Sequence, residues 1–355
     1  MRRASQSMTT STARVPIVHK TSVAPANMTF SFSRPAWRRH TGGVPELLEI
    51  EIYRREMADL SGRVIETVRC PDPWYVRRAG PVEQVGPMLE GRRITGLRRH
   101  GKLLLIDLVH GSAVHESAVG GSVVGGSVVG GSAVDGSAVH GSVVHESAVD
   151  GSAVDGSATG PNVLGLRFGM TGRPVVDERG AALTLEYAPA DVRVEWVRFE
   201  LSFQGAGRLR VVDPRRLGGV ELDPDLGALG PDATTVTVDQ LVARCRSARV
   251  IKAVLLDQSK IAGLGNMLVD EVLWRASIDP VRRAAGLMLD EIVVLQRTIV
   301  ETLPELFSRG GSHLGDLSAR LRRPGARCPR DGAELMIRQV GGRTTYSCPL
   351  HQRRT

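Results

Sequence analysis

Residues 251–280 read IKAVLLDQSKIAGLGNMLVDEVLWRASIDP, and this stretch decides the character of the second half of the chain. Apolar residues recur at helical spacing on either side of a glycine-containing turn, predicting helices over 250–257 and 265–275, the second opened by Asn266. Working outward, the same period predicts helices over 237–247 and 288–308, with Pro304 expected to kink the last. Upstream the pattern changes. KLLLIDLV at 102–109 and VLGLRF at 163–168 read as strands. VRVEWVRFELSF at 192–203 alternates with one phase slip at Val197, and GRLRVVD at 207–213 is its natural partner. Before the strands, Pro45 is placed as a helix-opening proline, ELLEIEIYRREMADL follows, and Gly62 can close the helix. Strands followed by helices predict an α+β protein of two domains with a cleft between them.

Three regions lack the marks of a folded core. Residues 1–43 mix Ser, Thr, Arg and Pro without sustained period and read as an unstructured leader. Residues 111–158 are a pentad repeat of the type GSAVH-ESAVG-GSVVG. A period of five fits neither helix nor strand, so the tract reads as a flexible insert at a hairpin, with a small β-solenoid as the rival. The third region is the short basic connector 318–327. The tract holds five acids and no Lys or Arg, so of a formal charge of +8 the rest of the chain carries +13. Basic residues are nearly all arginine. Lysine stands only at positions 20, 102, 252 and 260, which makes each lysine informative. Four cysteines in 355 residues do not make a secreted disulfide scaffold, and no apolar run approaches the roughly 18–20 residues of a membrane span. A reducing cytoplasm is the expected location.

Seven motifs in order resemble the formamidopyrimidine-DNA glycosylase/endonuclease VIII family. They are VPELLEIEIYRREM (44–57), GKLLLIDL (101–108), LRFGMTG (166–172), VDPRRLGG (212–219), the 251–280 stretch, RGGSHLGDL (309–317), and the ending CPRDG…GGRTTYSCPLHQ. The resemblance implies an N-terminal catalytic β-sandwich domain with a leading helix over 44–235, interrupted by the tract. It further implies a helix–two-turn–helix DNA-binding domain over 236–317, the connector, and a zinc-finger-like ribbon over 328–355. The implied activity is base excision from damaged duplex DNA followed by strand cleavage, carried out by a monomer near the bacterial nucleoid.

In that family the nucleophile is an N-terminal proline, here Pro45. A secondary amine can attack the sugar C1′, expel the base and form an iminium that drains electrons toward elimination. Behind Val44, Pro45 is a tertiary amide with no nucleophilic lone pair. GUG codons initiate translation in GC-rich bacteria, so a start at residue 44, trimmed to expose Pro45, is the expectation. The rival is a non-catalytic protein that binds damaged or abasic DNA on the same scaffold.

The resemblance makes Glu46 the acid/base carboxylate, with Glu49 one helical turn on, and Lys102 a phosphate-contacting lysine that assists proton transfer. Met170, Arg215 and Leu217 match the residues that plug the hole left by an extruded base, Leu217 standing where phenylalanine is usual. Asp213 and Pro214 shape that turn. Lys252, Lys260 and Asn266, with the close-approach glycines 263 and 265, are expected at DNA phosphates. Arg343 matches the ribbon arginine that holds phosphates flanking the lesion. The family's four-cysteine zinc pattern is altered to Cys328, Asp331, Cys348 and His351. That set can still be tetrahedral, with a zinc-free ribbon as the alternative. Lesion choice is not legible, because the interval 318–327 is short where the family carries a recognition lid.

Overall fold

The computed structural model describes residues 45–111, 160–179 and 192–352. The leader and residues 112–158 of the pentad tract lie outside the described residues. The first helix, α1 (Leu47–Glu56), begins after Pro45, with Glu46 at its N-cap. Glu46 and Glu49 form a reciprocal capping box, the Glu46 N–H donating to Glu49 at 2.9 Å. The helix is shorter than expected: a 3₁₀ turn (Ala58–Leu60) follows it, and Gly62 (φ +90°) closes that turn.

Next come β1 (Ile65–Arg69), α2 (Val82–Leu89), β2 (Arg92–His100), β3 (Leu103–His110), β4 (Val163–Arg167) and β5 (Arg173–Val176). These are followed by β6 (Val197–Phe203), β7 (Arg208–Val212) and β8 (Gly219–Leu222). They form two four-stranded antiparallel sheets, ordered β1-β6-β7-β5 and β2-β3-β4-β8. One buried cluster joins them, with Ile65, Phe199, Leu201 and Val211 from the first sheet meeting Ile94, Leu104, Ile106 and Leu164 from the second. This is a sandwich. The unbroken apolar run of β3 is buried from Leu103 to Ile106, as befits an inner strand. Leu103 pairs with Arg167 and Asp107 with Val163, so the pentad tract does interrupt a hairpin. The phase slip at Val197 marks a real boundary. Val194–Trp196 form a 3₁₀ turn and the strand starts only afterwards.

The second core is helical: α3 (Val238–Cys245), α4 (Ile251–Leu256), α5 (Asn266–Arg275) and α6 (Leu289–Arg309), the last continuing through Pro304 and stopped by Gly310 in the left-handed region. Leu47 and Leu48 of α1 belong to this helical core, whereas Ile50, Ile52 and Tyr53 belong to the sandwich core. The chain ends in a two-stranded ribbon, β9 (Met336–Val340) against β10 (Arg343–Ser347). Trp274 of α5, Leu317, Cys328, Leu335 and Cys348 form a small cluster beneath it.

Candidate active site and nucleic-acid interface

A cleft of about 970 Å³ is lined by the residues just ahead of α1, the β2–β3 turn, the β4–β5 loop, α4 and its flanks, the start of α5, the connector and the ribbon. Pro45, Glu46, Lys102, Met170, Asn266 and Arg343 all line it. Six of the residues singled out from sequence therefore meet in one place, drawn from positions almost three hundred residues apart.

Glu46 is the best-held of them. It is buried, and its carboxylate sits at the N-terminus of α5. Oε1 accepts from the Met267 N–H at 2.9 Å, and Oε2 accepts from Gly265 (2.9 Å) and Leu268 (3.2 Å). Unpaired amides at a helix start favour an anion. Gly265 is required there, because a Cβ would lie 2.2 Å from the Glu46 carboxyl carbon. Glu49 is buried beside it and accepts from the Ser312 N–H (2.7 Å) and hydroxyl (2.8 Å). Burial, reinforced by the Glu46 charge, pushes the Glu49 carboxyl above the ordinary range against the opposing pull of its hydrogen bonds. Burial lowers the Lys102 ammonium. The two glutamates oppose that shift and Arg343 adds to it, which brings a neutral amine closer to working pH.

The turn ahead of Lys102 is pinned to the linker between the cores. Asp232 accepts from Arg99 (2.6 Å), from the Gly101 N–H (2.7 Å) and from the Thr234 hydroxyl (2.6 Å). Its carboxyl is held down to about 2, chiefly by Arg99 acting against the opposing cost of burial.

Met170 projects from the β4–β5 loop, and Arg215 and Leu217 from the β7–β8 turn, both of the latter exposed. The two loops touch. Gly169 (φ +58°) lies against the Leu217 carbonyl, where a Cβ would come within 2.7 Å. Asp213 is fully buried and braces the turn, accepting from the Thr171 hydroxyl and from the N–H groups of Arg215 (3.2 Å) and Gly218 (2.8 Å). Its role is structural, as its sequence context suggests.

Lys252 departs from expectation. Its side chain is fully buried, and Nζ donates to Asp270 (2.6 Å) and to the Thr345 hydroxyl (2.7 Å). It cannot reach a phosphate, and instead joins α4 to α5 and the ribbon. Asp270 also accepts from Arg322 (2.7 Å) and from the Tyr346 N–H (3.2 Å), tying the connector into the same network. Lys260 is half-buried in the α4–α5 turn, outside the cleft lining. Asn266 donates to the Thr344 carbonyl at 3.0 Å and so links the start of α5 to the strand carrying Arg343. Sequence reasoning missed Arg322, which lines the cleft and stacks on Tyr346 with 4.7 Å between guanidinium carbon and ring centroid.

At the ribbon's base, the ligand atoms of Cys328, Asp331, Cys348 and His351 lie within 4.8 Å of one another. Asp331 Oδ2 is 2.6 Å from His351 Nδ1 and 3.1 Å from Cys348 Sγ, and Cys328 Sγ is 3.8 Å from His351 Nδ1. Tetrahedral zinc, with bonds of about 2.0–2.3 Å, sets its ligands roughly 3.3–3.8 Å apart. The Cys328–His351 spacing matches, while Asp331 sits closer to His351 and Cys348 in hydrogen bonds that an ion would replace. The Trp274 indole N–H donates to Cys328 Sγ (3.3 Å) and the Leu350 N–H to Cys348 Sγ (3.4 Å), a second layer suited to metal-bound sulfur.

The family comparisons agree with this geometry. The profile described as the Formamidopyrimidine-DNA glycosylase N-terminal domain matches residues 44–220, and that described as the Formamidopyrimidine-DNA glycosylase H2TH domain matches 228–317. The chain belongs to the formamidopyrimidine-DNA glycosylase family. It is similar to proteins named formamidopyrimidine-DNA glycosylase from an Exiguobacterium species and from Bacillus cereus, each 28% identical over 88% of this chain and 100% of the relative. Its fold is similar to that of the Lactococcus lactis Fpg protein, solved with DNA containing N7-benzyl-Fapy-dG (26% identity, TM-score 0.63) and with abasic-site DNA (25%, 0.62). Each match covers 87% of this chain and 100% of the solved one.

Proposed function

We propose that this family member is a base-excision repair DNA glycosylase with AP lyase activity, acting on oxidised or ring-opened bases in duplex DNA. The observation that carries the reading is the shared cleft in which Pro45 adjoins an amide-held Glu46, with Lys102, Asn266 and Arg343 around them. With Pro45 as the chain terminus, its amine attacks C1′ while the glycosidic C–N bond breaks, and the base leaves with that electron pair and a proton. Glu46 supplies the proton for sugar opening. The resulting iminium acidifies C2′–H. Its removal expels the 3′-phosphate, a second elimination expels the 5′-phosphate, and hydrolysis frees the amine. Lys102 and Arg343 hold the flanking phosphates, while Met170, Arg215 and Leu217 fill the gap left in the duplex.

The amine must be exposed. Val44 precedes Pro45 in the 355-residue sequence, and a start at residue 44 followed by its removal supplies the free proline. That the family match begins at residue 44 supports this route. Zinc is the ion we assign to Cys328, Asp331, Cys348 and His351, where it would clamp the ribbon's base and take no part in the reaction. The same reading takes the protein to act as a monomer in the bacterial cytoplasm.

Borohydride trapping on abasic DNA is the test. Protein beginning at Pro45 is expected to form a covalent adduct, and its failure to do so refutes the nucleophile. Equal trapping by the full chain with an intact leader would point to Lys102. The Val44–Pro45 amide favours a second reading, a damage-binding protein without catalysis, which predicts tight abasic-site binding and no adduct from native protein.

A further inference from the structure

Trp74 is the most exposed tryptophan among the described residues, 55% accessible, where Trp196 is half-buried and Trp274 is buried. An exposed indole with a guanidinium over its ring offers the flat, cationic surface on which nucleic-acid bases stack. The segment bearing it is rigid. Asp72 is buried and accepts two 2.6 Å hydrogen bonds from Arg216, while the Val220 N–H donates to the Tyr75 carbonyl (3.0 Å). Arg216 lies between Arg215 and Leu217 on the β7–β8 turn. The Trp74 segment is therefore bolted to the turn that carries Arg215 and Leu217 of the proposed plug.

The surface so formed is basic as well as aromatic. The Arg77 guanidinium lies over the Trp74 ring, 4.0 Å from its centroid, and among the described residues neither Arg77 nor Arg215 has a carboxylate partner. Met170 lines the cleft, whereas Arg215, Leu217 and Trp74 lie outside its lining. Residues that fill the gap left by an extruded nucleotide face the unpaired base of the other strand, and the Trp74 segment is held to the turn that carries two of them.

We infer that Trp74, backed by Arg77, is a stacking platform for the strand opposite the lesion, extending the DNA interface beyond the plug. The inference rests on the proposed function above. A flat aromatic face suits any base or sugar, and the guanidinium suits the adjoining phosphate, so the contact is sequence-tolerant. It also supplies aromatic surface where Leu217 offers none.

The test compares one oligonucleotide carrying a tetrahydrofuran abasic analogue, alone and annealed to its complement. Equilibrium binding needs no free amine, so the full chain serves. Trp74→Ala is expected to weaken duplex binding about tenfold and leave single-strand binding unchanged, with Trp74→Phe restoring most of the loss. Unchanged duplex binding by Trp74→Ala overturns the inference. So does an equal loss on both substrates, which would put Trp74 on the lesion strand, or a duplex loss that phenylalanine does not repair. If Trp74→Ala fails to fold, Arg77→Gln carries the same duplex-against-single-strand contrast. Failure of wild type to bind the abasic duplex would instead refute the proposed function. Borohydride trapping of single-stranded abasic DNA by Trp74→Ala protein starting at Pro45 should match wild type.

Discussion

The acidic cradle behind Pro45 and the cluster at the ribbon's base are both crowded with ionisable groups, and they solve the crowding differently. Glu46 and Glu49 spend their oxygens on N–H and O–H donors from the helical core and its flanking loop. The cradle is complete with protein alone. Asp331, His351 and the two thiols have chiefly one another for partners, an arrangement of acceptors and weak donors that a cation would organise. The difference teaches that one site is preorganised by folding, whereas the other is left for the proposed ion to organise.

The largest effect should come from the cradle's edge. Extending protein that starts at Pro45 by one residue converts its amine to an amide and should abolish borohydride trapping while leaving abasic-site binding intact. Next, Glu46→Gln should slow base excision about a hundredfold or more, with a smaller effect on cleavage of preformed abasic sites, as measured by single-turnover rates. The amide's NH2 would also face the N–H donors of α5, so part of the loss is positional.

On the ribbon side, chelation should release stoichiometric zinc and weaken DNA binding, and Asp331→Ala should reproduce that loss, roughly ten- to a hundredfold. A metal-free, fully active protein with a harmless Asp331→Ala would erase the contrast and leave a ribbon held by packing. A stability effect of about 2 kcal/mol is expected for Asp232→Asn, since the Asp232 carboxyl is lowered from 3.8 to about 2 by Arg99 and its hydrogen bonds. A depressed carboxyl stabilises above its unfolded value. Wild type and variant should therefore differ at neutral pH and converge as pH falls from about 4 toward 2, in denaturant melts. Smallest is Arg343→Ala, which should weaken damaged and undamaged DNA alike and shallow the salt dependence by roughly one counterion.

Much of the cleft was legible because its members sit in contiguous motifs. Pro45 and Glu46 are neighbours in PELLEIE, and Asn266 follows a glycine pair. What hid was non-local. Lys252 looks like a surface charge in IKAVLL, and only the fold brings it to Asp270, on the next helix, and to Thr345 in the ribbon. The amides that hold Glu46 have no side-chain signature, Gly265 being their one trace. Strands β1, β2, β5 and β8 went unread. RRITGLRRH of β2 shows why, its arginines pairing or snorkelling along a partly exposed strand whose apolar face is sparse. Trp74 stands in CPDPWYVRRAG, where prolines erase any period and nothing local separates a core indole from an exposed one.

Helix α1 contributes its first turn to one hydrophobic core and its second to the other, while the Glu46 carboxylate at its cap is bonded to α5. Neither core can melt without stripping that helix of half its packing. The two should therefore lose structure in a single cooperative transition. Amide protons along α1 should be among the slowest to exchange, opening only when the whole molecule does.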